Sequence, residues 1–319
     1  MFKNKYPLKL FAIISLALVV LTTVIVCIFG VNTSIEIGGG SQIEITLSTR
    51  SGETVNSGRE NVEQYVETIE DILKDHGSAI DSYIVEDKYV DTYLIVRSTD
   101  NEIEGASTIP SEIATKLGID LSRVSTVQKL SSYFTDNQML YIGLAVLTVI
   151  VIAFFLGWIR YSINGGVTLA FSILHNLILS LAIIFVTRVQ FSTVSLIGTL
   201  IFTLLSAIVT TLILERKREN SKSKQYAELS ESAKMFEATK QNKHLLWIAA
   251  VLFALMIVML CIPIRYIALA SVSLIICLVV CAYTAICVTP ALNVYLSETF
   301  IAKEKQRLSK NVTTKSTKK

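Results

Sequence analysis

Polar side chains that recur inside an uncharged apolar run are the part of this sequence with chemistry to offer. From Phe191 to Leu214 the chain carries no charge, yet it holds Ser195, Thr199, Thr203, Ser206, Thr210 and Thr211. Such a thread either lines a polar pathway or serves as hydrogen-bonding glue between closely packed helices. His175 is followed by Asn176 and preceded by Ser172 in another apolar run. An imidazole there could carry a proton near neutral pH, although a lone His beside Asn and Ser is more often a hydrogen-bonded interhelical residue. Cys277 and Cys281 share a helix face at i, i+4 but have no adjacent His or carboxylate, so they read as small apolar packing residues rather than metal ligands. Gly38-Gly39-Gly40 lacks a following Gly-Lys-Ser/Thr and a following helix, which rules out a phosphate loop. These glycines instead permit a bend where the chain enters a sheet. No nucleophile–base pair, metal cluster or nucleotide loop is present, so neither catalysis nor a cofactor is expected.

The elements that position these residues are membrane spans. The chain has 319 residues, 52% of them hydrophobic and 17% charged, with mean hydropathy +0.55. About 20 apolar residues at 1.5 Å rise cross a hydrocarbon core about 30 Å thick. Six runs qualify: 10–29, 139–158, 165–187, 193–214, 245–263 and 266–291, none containing Asp or Glu. The first follows Lys3, Lys5 and Lys9. It is too long for a signal h-region and no small-x-small site follows it, so it reads as a retained span.

Charge divides the chain between the two sides of the membrane. Residues 31–137 hold 19 Asp/Glu against 8 Lys/Arg. Residues 1–9, 159–163, 215–244 and 292–319 together hold 19 Lys/Arg against 7 Asp/Glu. The positive-inside rule then places both termini, the 159–163 turn and the basic 215–244 loop in the cytoplasm, with 31–137 outside. The domain organisation expected is a first span within 1–30, an extracytoplasmic domain at 31–137, a five-helix bundle at 138–291 and a basic tail at 292–319. The basic loop suits anionic lipid headgroups better than nucleic acid.

The outer segment alternates in pattern. Gln42–Ser48 reads as a strand with one buried face. Val62, Tyr65, Val66, Ile69, Ile72 and Leu73 recur at helical spacing up to Gly77. Ile80–Val85 and Tyr89–Val96 are β-rich and separated by polar Glu86-Asp87-Lys88, a hairpin signal. Pro110 opens a second helix ending at Gly118, and a last strand is expected around Val124–Val127. The order β-α-β-β-α-β is the split-βαβ, ferredoxin-like pattern, with both helices on one face of an antiparallel sheet. The segment contains no cysteine, so no disulfide framework holds it.

Ile35-Glu36-Ile37-Gly38-Gly39-Gly40-Ser41-Gln42-Ile43-Glu44 after one span resembles the GIDFxGGTxIE signature of SecF, the accessory subunit of the bacterial Sec protein-export channel. Trp158-Ile159-Arg160-Tyr161 through Leu174-His175-Asn176-Leu177-Ile178 is similar, without gaps, to the family's WLRF…LLHDVL. Ser206, Thr210 and Glu215-Arg216-Lys217-Arg218-Glu219-Asn220 resemble GYSINDTVVVFDRIREN, with the REN triplet intact. Thr289-Pro290-Ala291-Leu292 resembles the family's closing helix. One outer domain of this size is too small for the usual SecD, the paralogous subunit.

The resemblance implies half of a resistance-nodulation-division transporter in the bacterial plasma membrane. Such a half pairs with a SecD-like subunit, docks on the SecY channel complex and helps pull a translocating polypeptide outward at the expense of the proton gradient. The family's mechanism rests on fourth-span carboxylates, and here the sequence departs. The Asn-Asp pair aligns with Ile208-Val209, and the Asp of the third-span motif with Asn176. An acid at the cytoplasmic end is kept as Glu215, followed by Arg216 and Arg218; the basic residue before the fifth span has Lys240 or Lys243 as its nearest match. By resemblance the transport residues are His175, Asn176, Ser206, Val209, Thr210, Glu215, Arg216 and Arg218. An Asp at a helix centre costs about 3 kcal/mol to insert, so function is usually what retains one. The expectation is a SecF-like subunit whose own coupling carboxylates are lost. The alternatives are a diverged exporter of lipid or small amphiphiles, and a membrane-anchored scaffold.

Overall fold

The computed structural model describes residues 8–48, 59–88, 91–100, 103–132, 136–262 and 265–300. The first half of the chain runs α1 (Leu8–Phe29), α2 (Ile35–Gly38), β1 (Gly40–Ser48), α3 (Arg59–Asp75), β2 (Ser82–Lys88), β3 (Asp91–Ser98), α4 (Ile109–Leu117) and β4 (Gln128–Leu130). It continues with α5 (Asp136–Val186), α6 (Thr193–Lys222), α7 (Lys224–Ala227), α8 (Glu231–Gln241), α9 (His244–Leu260) and α10 (Arg265–Tyr283), which passes through a π-turn at Thr284–Val288. Two compact units result. The helical unit comprises residues up to Asn32, 140–189 and 194 onward; the sheet unit comprises 33–139 and 190–193.

In the sheet unit, four antiparallel strands lie in the order β2-β3-β1-β4. The period-2 pattern of β1 turns Ile43, Ile45 and Leu47 to one face, where Leu94 and Val96 join them from β3. Against that face α3 buries Val62, Ile69, Ile72 and Leu73, and α4 buries Ile109, Ile113 and Ala114. Pro110 sits in the first turn of α4, where its missing N–H costs nothing, and Gly118 closes the helix in the left-handed region (φ 65°). Ile45 is 1% exposed at the centre of this core. Ile45→Ala is therefore expected to destabilise the sheet unit by about 2–5 kcal/mol, read as faster hydrogen exchange of the β1 and β3 amides.

Three details of this unit differ from the sequence reading. Glu86, Asp87 and Lys88, read as a turn, belong to β2, whose pairing with β3 extends to Lys88–Asp91; residues 89–90 lie outside the described residues. The strand expected at Val124–Val127 is displaced to Gln128–Leu130. Val124 makes only an isolated bridge to Ile45, because the Ser125 hydroxyl accepts the Glu44 amide (2.8 Å) in place of a ladder bond. Before β1, Gly38 ends the one-turn α2. Gly39 has φ 74°, and a Cβ on Gly40 would collide with the Ser98 carbonyl oxygen, so the bend needs glycine at both of these positions.

Among the described residues of the helical unit, four helices are long and apolar enough to cross a membrane: Leu8–Phe29, Asn137–Val186, Thr193–Lys222 and Ile267–Phe300. The count becomes five if α8 and α9, bent by 50°, are taken as one span. The sequence reading has six. The run α5 contains two of those six, and at 1.5 Å per residue its 51 residues far exceed a core about 30 Å thick. It reverses at Ser162, which has φ 77° and ψ 173°, within the 160–164 segment read as a turn. The two halves then pack backbone to backbone, Gly157 lying against Gly165 and Gly166.

At the far end of α5, Arg188 (φ 54°) donates to the Phe29 and Gly30 carbonyl oxygens at 3.2 and 2.6 Å, and Asn32 donates back to the Arg188 carbonyl. Midway along, Thr22 of α1 donates to the Ala182 carbonyl (3.1 Å). The basic 215–244 stretch, read as a loop, is helical for most of its length. Ser230 caps α8 by accepting the Ala233 amide, and Ser232, Met235 and Ala238 form a buried stripe at helical spacing that the surrounding charges mask in the sequence. The last helix likewise continues past 291 to Phe300. Its π-turn has a local cause: Pro290 lacks an N–H and its ring clashes with the carbonyl four residues back. The widened turn absorbs that defect, with the Thr289 hydroxyl donating to the Thr284 carbonyl.

A buried polar seam as the candidate functional site

Thr168, Ser172, Asn176 and Ser180 fall at i, i+4 along the second half of α5, and each is at most 1% exposed. Opposite them α6 buries Ser195, Thr199, Thr203, Ser206 and Thr210, while the α10 helix contributes Ser273, Cys277 and Asn293. The bonds run along the whole seam. The Ser172 hydroxyl reaches Ser206 (2.9 Å) and Thr210 (3.0 Å), and Asn176 Nδ2 donates to Thr203 (3.1 Å). Ser195 donates to Ser273 (2.8 Å), Thr199 meets Cys277 Sγ (3.5 Å), and Asn293 Nδ2 donates to Thr168 (3.0 Å). Most hydroxyl and amide groups pair here, as a medium without water favours, the Ser180 hydroxyl being buried without a partner.

Chemically the seam is neutral. It can hold helices in register and accept or donate hydrogen bonds, but its Ser, Thr and Asn side chains cannot change charge. The Asn176 Oδ1 is buried without a partner. Interhelical hydrogen bonds inside membranes average about 0.6 kcal/mol with a maximum near 1.7. Asn176→Ala is therefore expected to cost no more than about 2 kcal/mol, measured as a small fall in the thermal unfolding midpoint of the detergent-purified chain.

His175 lies on the neighbouring face of α5, outside the seam. Its Nε2 is 2.9 Å from the Ser15 hydroxyl of α1 and its Nδ1 is 3.0 Å from the Thr284 hydroxyl in the π-turn. The Phe171 and Tyr283 rings flank it at 5.4 and 6.2 Å, and Tyr283 in turn donates to the Phe11 carbonyl. Both ring nitrogens thus have hydroxyl partners and neither has an anion. A hydroxyl serves as donor or acceptor, so either neutral tautomer is satisfied.

The other residues singled out in the sequence are distributed elsewhere. Val209 packs against Ile213, Leu214, Met235, Ala238 and Val294, an apolar cluster between α6, α8 and the last helix, and Ile208 beside it is exposed. Glu215 accepts from Arg160 Nε at 2.9 Å and lies 3.9 Å from Arg218; the Arg160 hydrogen bond is the main influence holding its carboxyl below the usual range. Arg216 pairs with Glu219 on the surface, and Lys240 and Lys243 are exposed. Of the set, only Asn176, Ser206 and Thr210 come together in the seam.

Sequence reasoning missed the partners Thr168, Ser273 and Asn293, although the i, i+4 run of Thr168, Ser172, Asn176 and Ser180 is a legible signal. It also missed Lys217, the buried amine at the basic end. Lys217 donates to Asn293 Oδ1 (2.7 Å) and Ser297 (3.2 Å) and pairs with Glu231 (2.9 Å). Burial pushes the Glu231 carboxyl up, but Lys217 and Lys234 outweigh it and hold the group below the usual range.

Apolar helices of spanning length, packed on a hydroxyl-rich seam and joined to a small antiparallel sheet, define a multi-pass membrane protein. No family model and no curated protein matches the chain. Solved structures do. The crystal structure of SecDF in its super-membrane-facing form superposes with a TM-score of 0.71 at 15% identity, covering 94% of this chain and 39% of that one. SecDF from Thermus thermophilus, a translocon-associated membrane protein, gives 0.61 at 16% identity, covering 93% and 40%. The fold is therefore SecD/SecF-like over nearly the whole chain, and the chain spans about two-fifths of the length of those structures.

Proposed function

We propose that this chain is a SecF-like accessory subunit of the Sec translocase, assisting protein export across the bacterial plasma membrane. It does so by structural means. The observation that carries the reading is the match of fold over 94% of the chain to a translocon-associated protein, combined with a seam made of neutral groups. A proton falling through 100 mV supplies about 2.3 kcal/mol, but only where a titratable group binds and releases it partway across. The sequence offers no Asp or Glu in that position, so proton work falls to a SecD-like partner supplying the remaining half.

In this reading the two halves of α5 count as separate spans and α9 as another, giving six. Both termini lie in the cytoplasm, and the sheet unit is a ferredoxin-like domain on the outer side that meets the translocating polypeptide. The chain is not an enzyme. Affinity purification of the tagged full chain from its native membranes is expected to recover a SecD-like chain and the SecY channel. Recovery of neither, with the tagged chain folded and membrane-inserted, contradicts the assignment. A small-molecule export defect with normal protein secretion on depletion points instead to a diverged exporter.

A further inference from the structure

Where the basic residues gather, at the Ser162 end of the helical unit, a cavity of about 310 Å³ opens between the α5 reversal, α6, α8 and the last helix. Of the eleven residues lining it, Leu214 alone is aliphatic. Three cations, Arg160, Lys217 and Arg218, face it against one carboxylate, Glu231. Lys217 is committed to Asn293, Ser297 and Glu231, so the inner wall is fixed. Arg160 and Arg218 stand at the mouth, their side chains 57% and 43% exposed, sharing the single carboxylate of Glu215. This leaves the mouth with a net positive charge.

Two further observations indicate a site and not an accidental gap. Asn164 is among the lining residues, and its side-chain oxygen is buried without a hydrogen-bond partner. A buried unpaired acceptor is costly, and a ligand donor would satisfy it. Ser162, also in the lining, holds φ 77° and ψ 173°, a region that only glycine adopts readily. Backbone held in such a region concentrates at ligand sites.

We propose that this cleft binds a phosphate group carrying a hydrogen-bond donor on it or beside it. The guanidinium groups of Arg160 and Arg218 take the phosphate oxygens, and the Asn164 oxygen accepts the donor. Planar guanidinium suits phosphate oxygens, and about 310 Å³ is at the small end of ligand cavities, the size of a headgroup. The chemistry belongs equally to the phosphatidylglycerol headgroup, with its glycerol hydroxyls, and to the protonated inorganic phosphate ion. It is a discrete site, beyond the general attraction of a basic loop to an anionic membrane surface, and it stands independently of the Sec assignment.

The test is a thermal-shift titration of the full chain in detergent with dihexanoyl phosphatidylglycerol, dihexanoyl phosphatidylcholine and inorganic phosphate. A saturable rise in unfolding midpoint with phosphatidylglycerol but not phosphatidylcholine or phosphate identifies a lipid. A saturable rise with phosphate that phosphatidylglycerol does not exceed identifies a soluble anion. In either case Arg218→Gln, which removes only a weak ion pair, is expected to weaken binding by about tenfold. Asn164→Leu is expected to weaken it as well. No saturable shift, an equal shift with phosphatidylcholine, or a shift unchanged in both variants overturns the proposal.

Discussion

Val209→Asp, which places an acid where the SecF motif that this stretch resembles has one, is expected to lower the yield of folded chain sharply. Val209 packs into an apolar cluster with Met235 and Ala238 of α8 and Val294 of the last helix. A carboxylate at a helix centre costs about 3 kcal/mol to insert, and this one would also lose the packing of Val209 against the apolar cluster. Stabilities of about 5–15 kcal/mol leave limited room for such a loss. Val209→Ala, which removes two methyl groups without adding charge, is expected to cost about 1–2 kcal/mol. Ile208→Asp serves as the comparison, because Ile208 is exposed and contributes nothing to the cluster. The readout is monodisperse protein after detergent extraction together with its unfolding midpoint. Wild-type behaviour of Val209→Asp would mean that the position is a vacant carboxylate site and not part of the α6–α8 contact.

Gly166→Val is expected to prise apart the two halves of α5. A Cβ at Gly166 would lie 2.6 Å from the Phe154 carbonyl oxygen and 3.0 Å from the Trp158 amide nitrogen. Both are backbone atoms, so no side chain can turn aside. Overpacking a core typically costs about 1–3 kcal/mol, and a backbone clash belongs at or above the top of that range. Gly143→Val on the same helix meets no atom within 4 Å and is expected to be tolerated. Thermal unfolding of the two variants side by side separates packing from helix propensity; equal loss in both would remove the hairpin contact as the cause.

The sequence reveals long periodic features and conceals those that depend on distant partners. Helix α3 occupies the span its apolar spacing predicts, and Gly39 takes φ 74° just before β1. The displaced β4 was not legible, because the Ser125 hydroxyl and not any propensity intercepts the ladder. Helix α8 was hidden because its buried stripe is short and set among charges. The α6 half of the seam was visible as Ser and Thr in an uncharged run. Its bonding to Thr168, Ser273 and Asn293 required knowing which helices touch. His175 in the sequence favours a hydrogen-bonded packing role over proton carrying, and the hydroxyls of Ser15 and Thr284 lie at its two ring nitrogens. The π-turn that delivers Thr284 had a signal in Pro290, read only as part of a family motif.

The decisive measurement for the proposed accessory role is the proton-gradient stimulation of protein export with His175→Gln, in inside-out membrane vesicles containing the chain and the partners proposed for it. Gln keeps a donor and an acceptor for Ser15 and Thr284 but cannot carry a proton. If the membrane residues of this chain serve structure alone, stimulation remains at the wild-type level. Loss of stimulation, with the variant folded and still membrane-inserted, would make His175 a proton carrier and contradict the structural role proposed for this chain.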